Sequence, residues 1–147
     1  MSKVYLSSIN ELLVQSYPFI LVDSFQKLER GKSLTALKNI TGTEWCFCKN
    51  QLFEVGKFPE TLLLESASQA AVLLYRLSGY VILESEKLVL SKIKAVFEKD
   101  VYIGDQVLME VLVSKMLERM GLIDVNMSVK ERKIATVQIM YSKISNE

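Results

Sequence analysis

The sequence is 147 residues long, 50% apolar and 24% charged, which are the values of one globular domain (1–147) and not of a disordered or fibrous chain. Lys plus Arg is 18 against 17 Asp plus Glu, so no global charge draws it to nucleic acid or to a membrane surface. Two cysteines, Cys46 and Cys48, and no histidine leave no disulfide framework and no ordinary zinc site. They also exclude every mechanism that takes a His base from this chain.

Free thiols in a reducing cytoplasm are the expectation for the two cysteines. The first residues lack an apolar run of signal-peptide character, and no segment offers about 20 uncharged apolar residues, so a cytoplasmic protein without a membrane span is expected. The lysines at 92, 94 and 99, and the group Lys130, Arg132 and Lys133, read first as solvated strand faces, with docking of an acidic partner as the lesser alternative.

Ser7 to Val14 reads as a short helix with Ser8 as a cap and Glu11 three residues later, and Pro18 stops it. Phe19 to Leu28 and Ser33 to Thr41 read as strands joined by the turn Glu29-Arg30-Gly31-Lys32. Gly42 to Asn50 is a loop, with Trp45 and Phe47 folded onto the body. Pro59 suits the first turn of a helix that runs to about Ser78, where Gly79 supplies a left-handed stop. That helix is apolar nearly all round, so it is central and buried. Leu88–Phe97, Gln106–Leu117, Leu122–Lys130 and Ile134–Ile144 read as four more strands at hairpin spacing. The expected architecture is α+β: one long buried helix against a curved antiparallel sheet of five to seven strands.

The chemistry concentrates on that helix. Glu65 and Gln69 stand four apart and share a face, with Ser68 and Arg76 near it. A carboxylate there is costly unless it is paired or opens on a cleft. Burial favours the neutral carboxyl, the setting of a general acid or base; the plain alternative is a Glu paired with a Lys or bonded to loop backbone. The residues alone leave both open. Lys57 leads into the same helix and is an available partner. As a base it would need desolvation or a neighbouring cation, so an ion-paired or surface Lys57 is expected over a catalytic one.

Four stretches in register resemble the FabZ/FabA-type (3R)-hydroxyacyl-carrier-protein dehydratases. Ser16-Tyr17-Pro18-Phe19-Ile20-Leu21-Val22-Asp23 is similar to the family's R-Y-P-F-L-L-V-D. Gly31-Lys32 with Ala36-Leu37-Lys38-Asn39-Ile40-Thr41 is similar to G-K…A-x-K-N-V-T. Gly56-Lys57-Phe58-Pro59 is similar to G-H-F-P, and Leu64-Glu65-Ser66-Ala67-Ser68-Gln69-Ala70-Ala71 to L-E-A-x-A-Q-A-A. Gly104-Asp105-Gln106-Val107-Leu108 is similar to P-G-D-Q-L.

The resemblance implies a hotdog fold, a dimer, and a site at the dimer interface with histidine and glutamate from opposite subunits. The His takes the proton alpha to the thioester, the Glu assists loss of the β-hydroxyl as water, and a backbone amide polarises the carbonyl. It implies Glu65 and Gln69 as functional polar groups and Lys57 at the position of the family His. Gly56, Phe58, Pro59 and Ser68 would surround the acyl group. No metal or cofactor is implied beyond a pantetheine-linked acyl substrate on acyl carrier protein or coenzyme A. Most of the family's loop between G-H-F-P and the helix is missing, and so is the arginine of its A-R-F motif, where Ala95-Val96-Phe97 stands.

With base and carbonyl donor both altered, the favoured expectation is a degenerate dehydratase. It would bind acyl thioesters or pair with an active subunit, as a homodimer or as a heterodimer with a His-containing hotdog paralogue. Two alternatives stay open: an acyl thioesterase using Glu65 with Gln69 or Ser68, and a noncanonical dehydratase in which Lys57 or a water chain replaces the histidine. Fatty acid, polyketide and polyene synthesis all fit.

Overall fold

A computed structural model describes residues 6–47 and 56–146. The elements are α1 (Leu6–Leu12), β1 (Ser24–Glu29), β2 (Ser33–Asn39), a 3-10 turn (Trp45–Phe47), α2 (Glu60–Leu77), β3 (Glu86–Phe97), β4 (Gln106–Met116), β5 (Met120–Val129) and β6 (Arg132–Ser145). Six strands form one antiparallel sheet in the order β1-β2-β4-β5-β6-β3. Cys48, the end of the Gly42–Asn50 loop and the residues before Gly56 lie outside the described residues.

Alternation builds the sheet's inner face. Ile123, Val125, Met127 and Val129 of β5 are buried at every second position, and Val107, Met109 and Val111 do the same in β4. α2 lies on this face. Ala67, Ala70 and Ala71 let it approach the strands closely, while Leu63, Leu73 and Leu74 fill the space between. Each of those buried leucines contributes about 2 kcal/mol. Ile9 and Leu13, in and just after α1, cover the helix from its other side, which is why α2 is apolar nearly all round.

Pro59, with φ −61° and ψ 137°, caps α2, and Gly79 at φ +99° follows its end, as the sequence requires. Gly31 at φ +73° makes the β1–β2 turn. Trp45 meets Phe19 edge to face at 5.7 Å, and Phe47 meets Phe58 at 6.4 Å.

Two expectations need correction. α1 begins at Leu6, so Ser8 lies inside it and does not cap it, and α1 ends well before Pro18. The first strand starts at Ser24 and not at Phe19. The carbonyl of Phe19 and the amide of Leu21, groups that would have joined a ladder, are bonded to the Gln69 side chain. A side chain of α2 thus takes the place of a strand partner at Phe19 and Leu21, and the β2 ladder is met only at Asp23, whose amide donates to the Leu37 carbonyl at 2.8 Å.

The sheet's two edges differ. β1 has six residues, a register shift between Gln26 and Glu29, and Lys27 at φ +52°, so it is short and bulged. β3 has twelve residues with one irregularity between Leu90 and Lys92. No described helix is long and apolar enough to cross a membrane.

Candidate active site

One face of α2 lines a cleft. Glu65, Ser68, Gln69 and Val72 recur at helical spacing and look across at Leu88, Val89 and Leu90 of β3, with Ile139 and Tyr141 of β6 as further lining and Gln15 from the segment after α1. The cavity is about 170 Å³. It continues past Gln15, Val72 and Leu88 into a wider hollow of about 560 Å³ that reaches Arg76, whose guanidinium donates to the Leu12 carbonyl at 3.1 Å.

Glu65 sits half-buried in the cleft. Its Oε1 accepts hydrogen bonds from Gln69 Nε2 at 3.0 Å and from Gln15 Nε2 at 3.1 Å. Gln69 is itself locked. Its Oε1 accepts from the Leu21 amide at 2.8 Å and its Nε2 also donates to the Phe19 carbonyl at 2.7 Å. The carboxylate is therefore oriented by two neutral amides, and it has no ion-pair partner among the described residues. The Gln15 carbonyl oxygen is buried and accepts no hydrogen bond from any described residue. The Gln15 amide nitrogen faces Glu65 Oε1, which accepts whether or not the other carboxyl oxygen carries a proton, and the Gln15 oxygen faces away.

Lys57 is placed elsewhere. Its Nζ lies 2.9 Å from Asp100 Oδ1, and its backbone bridges to Tyr102. Asp100 is the carboxylate partner, not Glu65, and Lys57 does not line the cleft. Phe58 is buried at 1% exposure against Phe47, and its amide donates to the Val101 carbonyl at 2.8 Å. Gly56 at φ +77° accepts from the Ile103 amide at 2.9 Å, and Pro59 is the buried cap of α2. Gly56, Lys57 and Phe58 tie the entry to α2 onto the Asp100–Ile103 segment, and none of the four lines the Glu65 cleft. Ser68 does line the cleft, but its hydroxyl is spent on the Leu64 carbonyl at 2.9 Å.

The structure thus unites Glu65, Ser68 and Gln69 and sets Gly56, Lys57, Phe58 and Pro59 apart. Sequence reasoning missed Gln15. A lone glutamine before Ser-Tyr-Pro-Phe carries no signal until the segment is seen folded over α2. It also missed Leu88 and Leu90, which read as ordinary strand residues. Among the described residues no group of His, Cys, Asp and Glu could hold a metal ion.

No family model matches the chain. It is 36% identical over 122 residues, 82% of its own length and 79% of the relative's, to the 3-hydroxyacyl-[acyl-carrier-protein] dehydratase FabZ of Vibrio atlanticus. Among solved structures, the dehydratase heterocomplex ApeI:P from Xenorhabdus doucetiae superposes with a TM-score of 0.75 at 12% identity, covering 93% of this chain and 91% of that one. A thioesterase from Haemophilus influenzae superposes with a TM-score of 0.67 at 14% identity, covering 98% and 93%. The helix-on-sheet architecture is the hotdog fold. By its sequence, the chain belongs to the FabZ family of 3-hydroxyacyl-[acyl-carrier-protein] dehydratases.

Proposed function

We propose that this chain is the histidine-less subunit of a FabZ-type dehydratase. It binds a pantetheine-linked acyl group, carried on acyl carrier protein or coenzyme A, and contributes Glu65 to a site whose base comes from a His-bearing hotdog partner. The observation that carries this reading is Glu65 itself: a carboxyl group oriented by two amides, with no cation beside it among the described residues, in a cleft bounded on one side by an edge strand. The cavity of about 170 Å³ beside Glu65 opens past Gln15, Val72 and Leu88 on the hollow of about 560 Å³ and is walled on one side by the edge strand β3, so a second subunit laid on that edge would enclose a substrate there. The absence of histidine from the sequence and the pairing of Lys57 with Asp100 leave this chain without a ready base.

In the mixed site the partner's imidazole takes the proton alpha to the thioester. The electron pair forms the C=C bond as the β C–O bond breaks, and the Glu65 carboxyl gives its proton to the departing hydroxyl, which leaves as water. The work of this chain is to hold the Glu65 oxygen at the leaving group while Gln69 and Gln15 fix its direction.

The test is to co-express the chain with a His-bearing FabZ-type protein and assay crotonyl-thioester hydration. The expected result is a mixed dimer whose activity falls about 100-fold or more with Glu65→Gln in this chain. Hydration by the purified chain alone would favour the lysine- or water-based dehydratase, and release of free acid dependent on Glu65 would favour a thioesterase.

A further inference from the structure

The two sheet edges are not equivalent, and β3 carries the marks of a pairing edge. β1 is blunted by its length and bulge, whereas β3 is an edge strand of twelve residues, of which Leu88, Val89 and Leu90 wall the Glu65 cleft. Leu90 of β3 stands opposite the buried Tyr141 and lines the cleft, yet it is 48% exposed. A strand added to β3 would cover it and enclose the site.

The charge on that edge narrows what the added strand can be. Lys92 and Lys94 stand opposite Met140 and Gln138 of β6, on the sheet's outer face, and Lys87 stands opposite the exposed Ile144. All three lysines are exposed, and none has an ion-pair partner among the described residues. Around Lys92 and Lys94 the outer face presents Leu122, Gln138 and Met140, all uncharged. The one acidic residue of the strand, Glu86, is turned to Lys143 and Arg119 instead. A two-fold antiparallel pairing of β3 with β3 of a second copy, centred near the middle of the strand, sets Lys92 and Lys94 opposite or diagonal to the same two lysines. Like charges so placed oppose pairing.

We propose that this lysine edge selects against a second copy of the chain and for a hotdog partner whose own edge strand is acidic at the facing positions. That the partner is a hotdog chain rests on the mixed-dimer reading above; the charge rule itself does not.

A charge-reversed copy serves as the probe. Wild-type protein is mixed with the Lys92→Glu/Lys94→Glu variant, and dimer constants are measured by analytical ultracentrifugation at low and high salt. Thermal melts confirm that the exposed substitutions leave the fold intact. At ~50 mM salt the mixed dimer is expected to be about tenfold or more tighter than either homodimer, and the gap is expected to close near ~1 M salt. The neutral Lys92→Gln/Lys94→Gln variant should self-associate several-fold more tightly than wild type. Equal constants for mixed and unmixed dimers, or monomers in every combination, would overturn the proposal; the latter would make the lysines only guards against aggregation. If charge steers pairing but no His-bearing chain restores dehydration, the mixed-dimer function fails and the edge rule stands. If dehydration is restored by a partner whose affinity ignores Lys92 and Lys94, the reverse holds.

Discussion

Two polar regions lie along α2, and they are built on opposite plans. At its C-terminal end Lys143, with its side chain 1% exposed, donates to the Val81 carbonyl at 2.7 Å, sits 3.5 Å from both Glu86 and Glu118, and lies over the Tyr75 ring. Tyr75 donates to the Glu118 carbonyl at 2.6 Å, stacks on Tyr80 and meets Tyr141 edge to face. Every polar atom there has a partner and the charges compensate, which is what a structural buried ion needs. About three turns back toward the N-terminus, Glu65 has amides and no cation among the described residues, the Gln15 carbonyl oxygen accepts nothing from them, and the cavity is open. A fold tolerates an incomplete network where a ligand or partner completes it. Burial alone does not separate the two regions; completeness does.

The closed region should respond to packing and the open one to chemistry. The largest stability effect is expected at Gly121 in β5, where an added Cβ would collide with the Tyr141 ring and hydroxyl. Gly121→Ala should cost about 3 kcal/mol, since the ring is boxed in by Tyr75. In a chain of this size that is a fall in Tm of about 10 °C, read by calorimetry. Gln69→Leu comes next, because it strands the buried Leu21 amide and the Phe19 carbonyl together. The expected cost is about 2 kcal/mol, with faster proteolysis between residues 13 and 23. If Gln69→Leu were neutral, Gln69 would belong to catalysis alone.

The closed region should also set the pH limits of stability. The Leu83 amide, with Lys143 and Arg119, holds the Glu86 carboxyl below its usual value near 4.5, so its contribution is present above that pH and is lost as pH falls through the depressed value. Burial pushes the Tyr75 and Tyr141 phenols up from 10.0. Burial opposes the Lys143 charge, but the Tyr75 hydroxyl, Glu86 and Glu118 outweigh it and hold the ammonium above 10.5. Those contributions are present below these values and fade as pH rises past them. Glu86→Gln should flatten the acid limb of a Tm-against-pH profile and weaken the Lys143 part of the alkaline limb, which Tyr75 and Glu118 still support; an unchanged acid limb would show the cluster to be a bystander.

Most of this architecture was legible in the sequence, because alternating and helical apolar patterns report burial directly. Six strands fall within the expected five to seven, and Pro59 and Gly79 bracket α2 where local backbone chemistry demands. The errors arise where tertiary contact overrides local preference. Phe19 to Asp23 reads as strand because its side chains are β-formers, but Gln69 captures the Phe19 carbonyl and the Leu21 amide, and only Asp23 reaches the neighbouring strand β2. Glu65 and Gln69 could be paired from their spacing of four, whereas Lys57 and Asp100 stand 43 residues apart with nothing periodic to join them. Gln15 carries no local signal at all.

Gln15 offers the smallest and sharpest test of the contrast. Its amide nitrogen aims Glu65, while its carbonyl oxygen is buried at the cleft without a described partner. In a finished structural network, removing such a residue loses a hydrogen bond and stability falls. Here Gln15→Leu also removes an unsatisfied acceptor, whose burial costs as much as the bond to Glu65 returns, so the unfolding midpoint should shift by less than about 0.5 kcal/mol. The effect should appear in ligand binding instead. A ligand hydroxyl or amide N–H that donates to the Gln15 oxygen would lose one hydrogen bond of about 1 kcal/mol, or roughly fivefold in affinity for a 3-hydroxyacyl thioester, measured by titration calorimetry. Gln15→Asn, shorter by one methylene, keeps the chemistry and loses the reach, so it should resemble Gln15→Leu in binding. A drop in stability with unchanged affinity would place Gln15 with Tyr75 and Lys143, on the structural side of the divide.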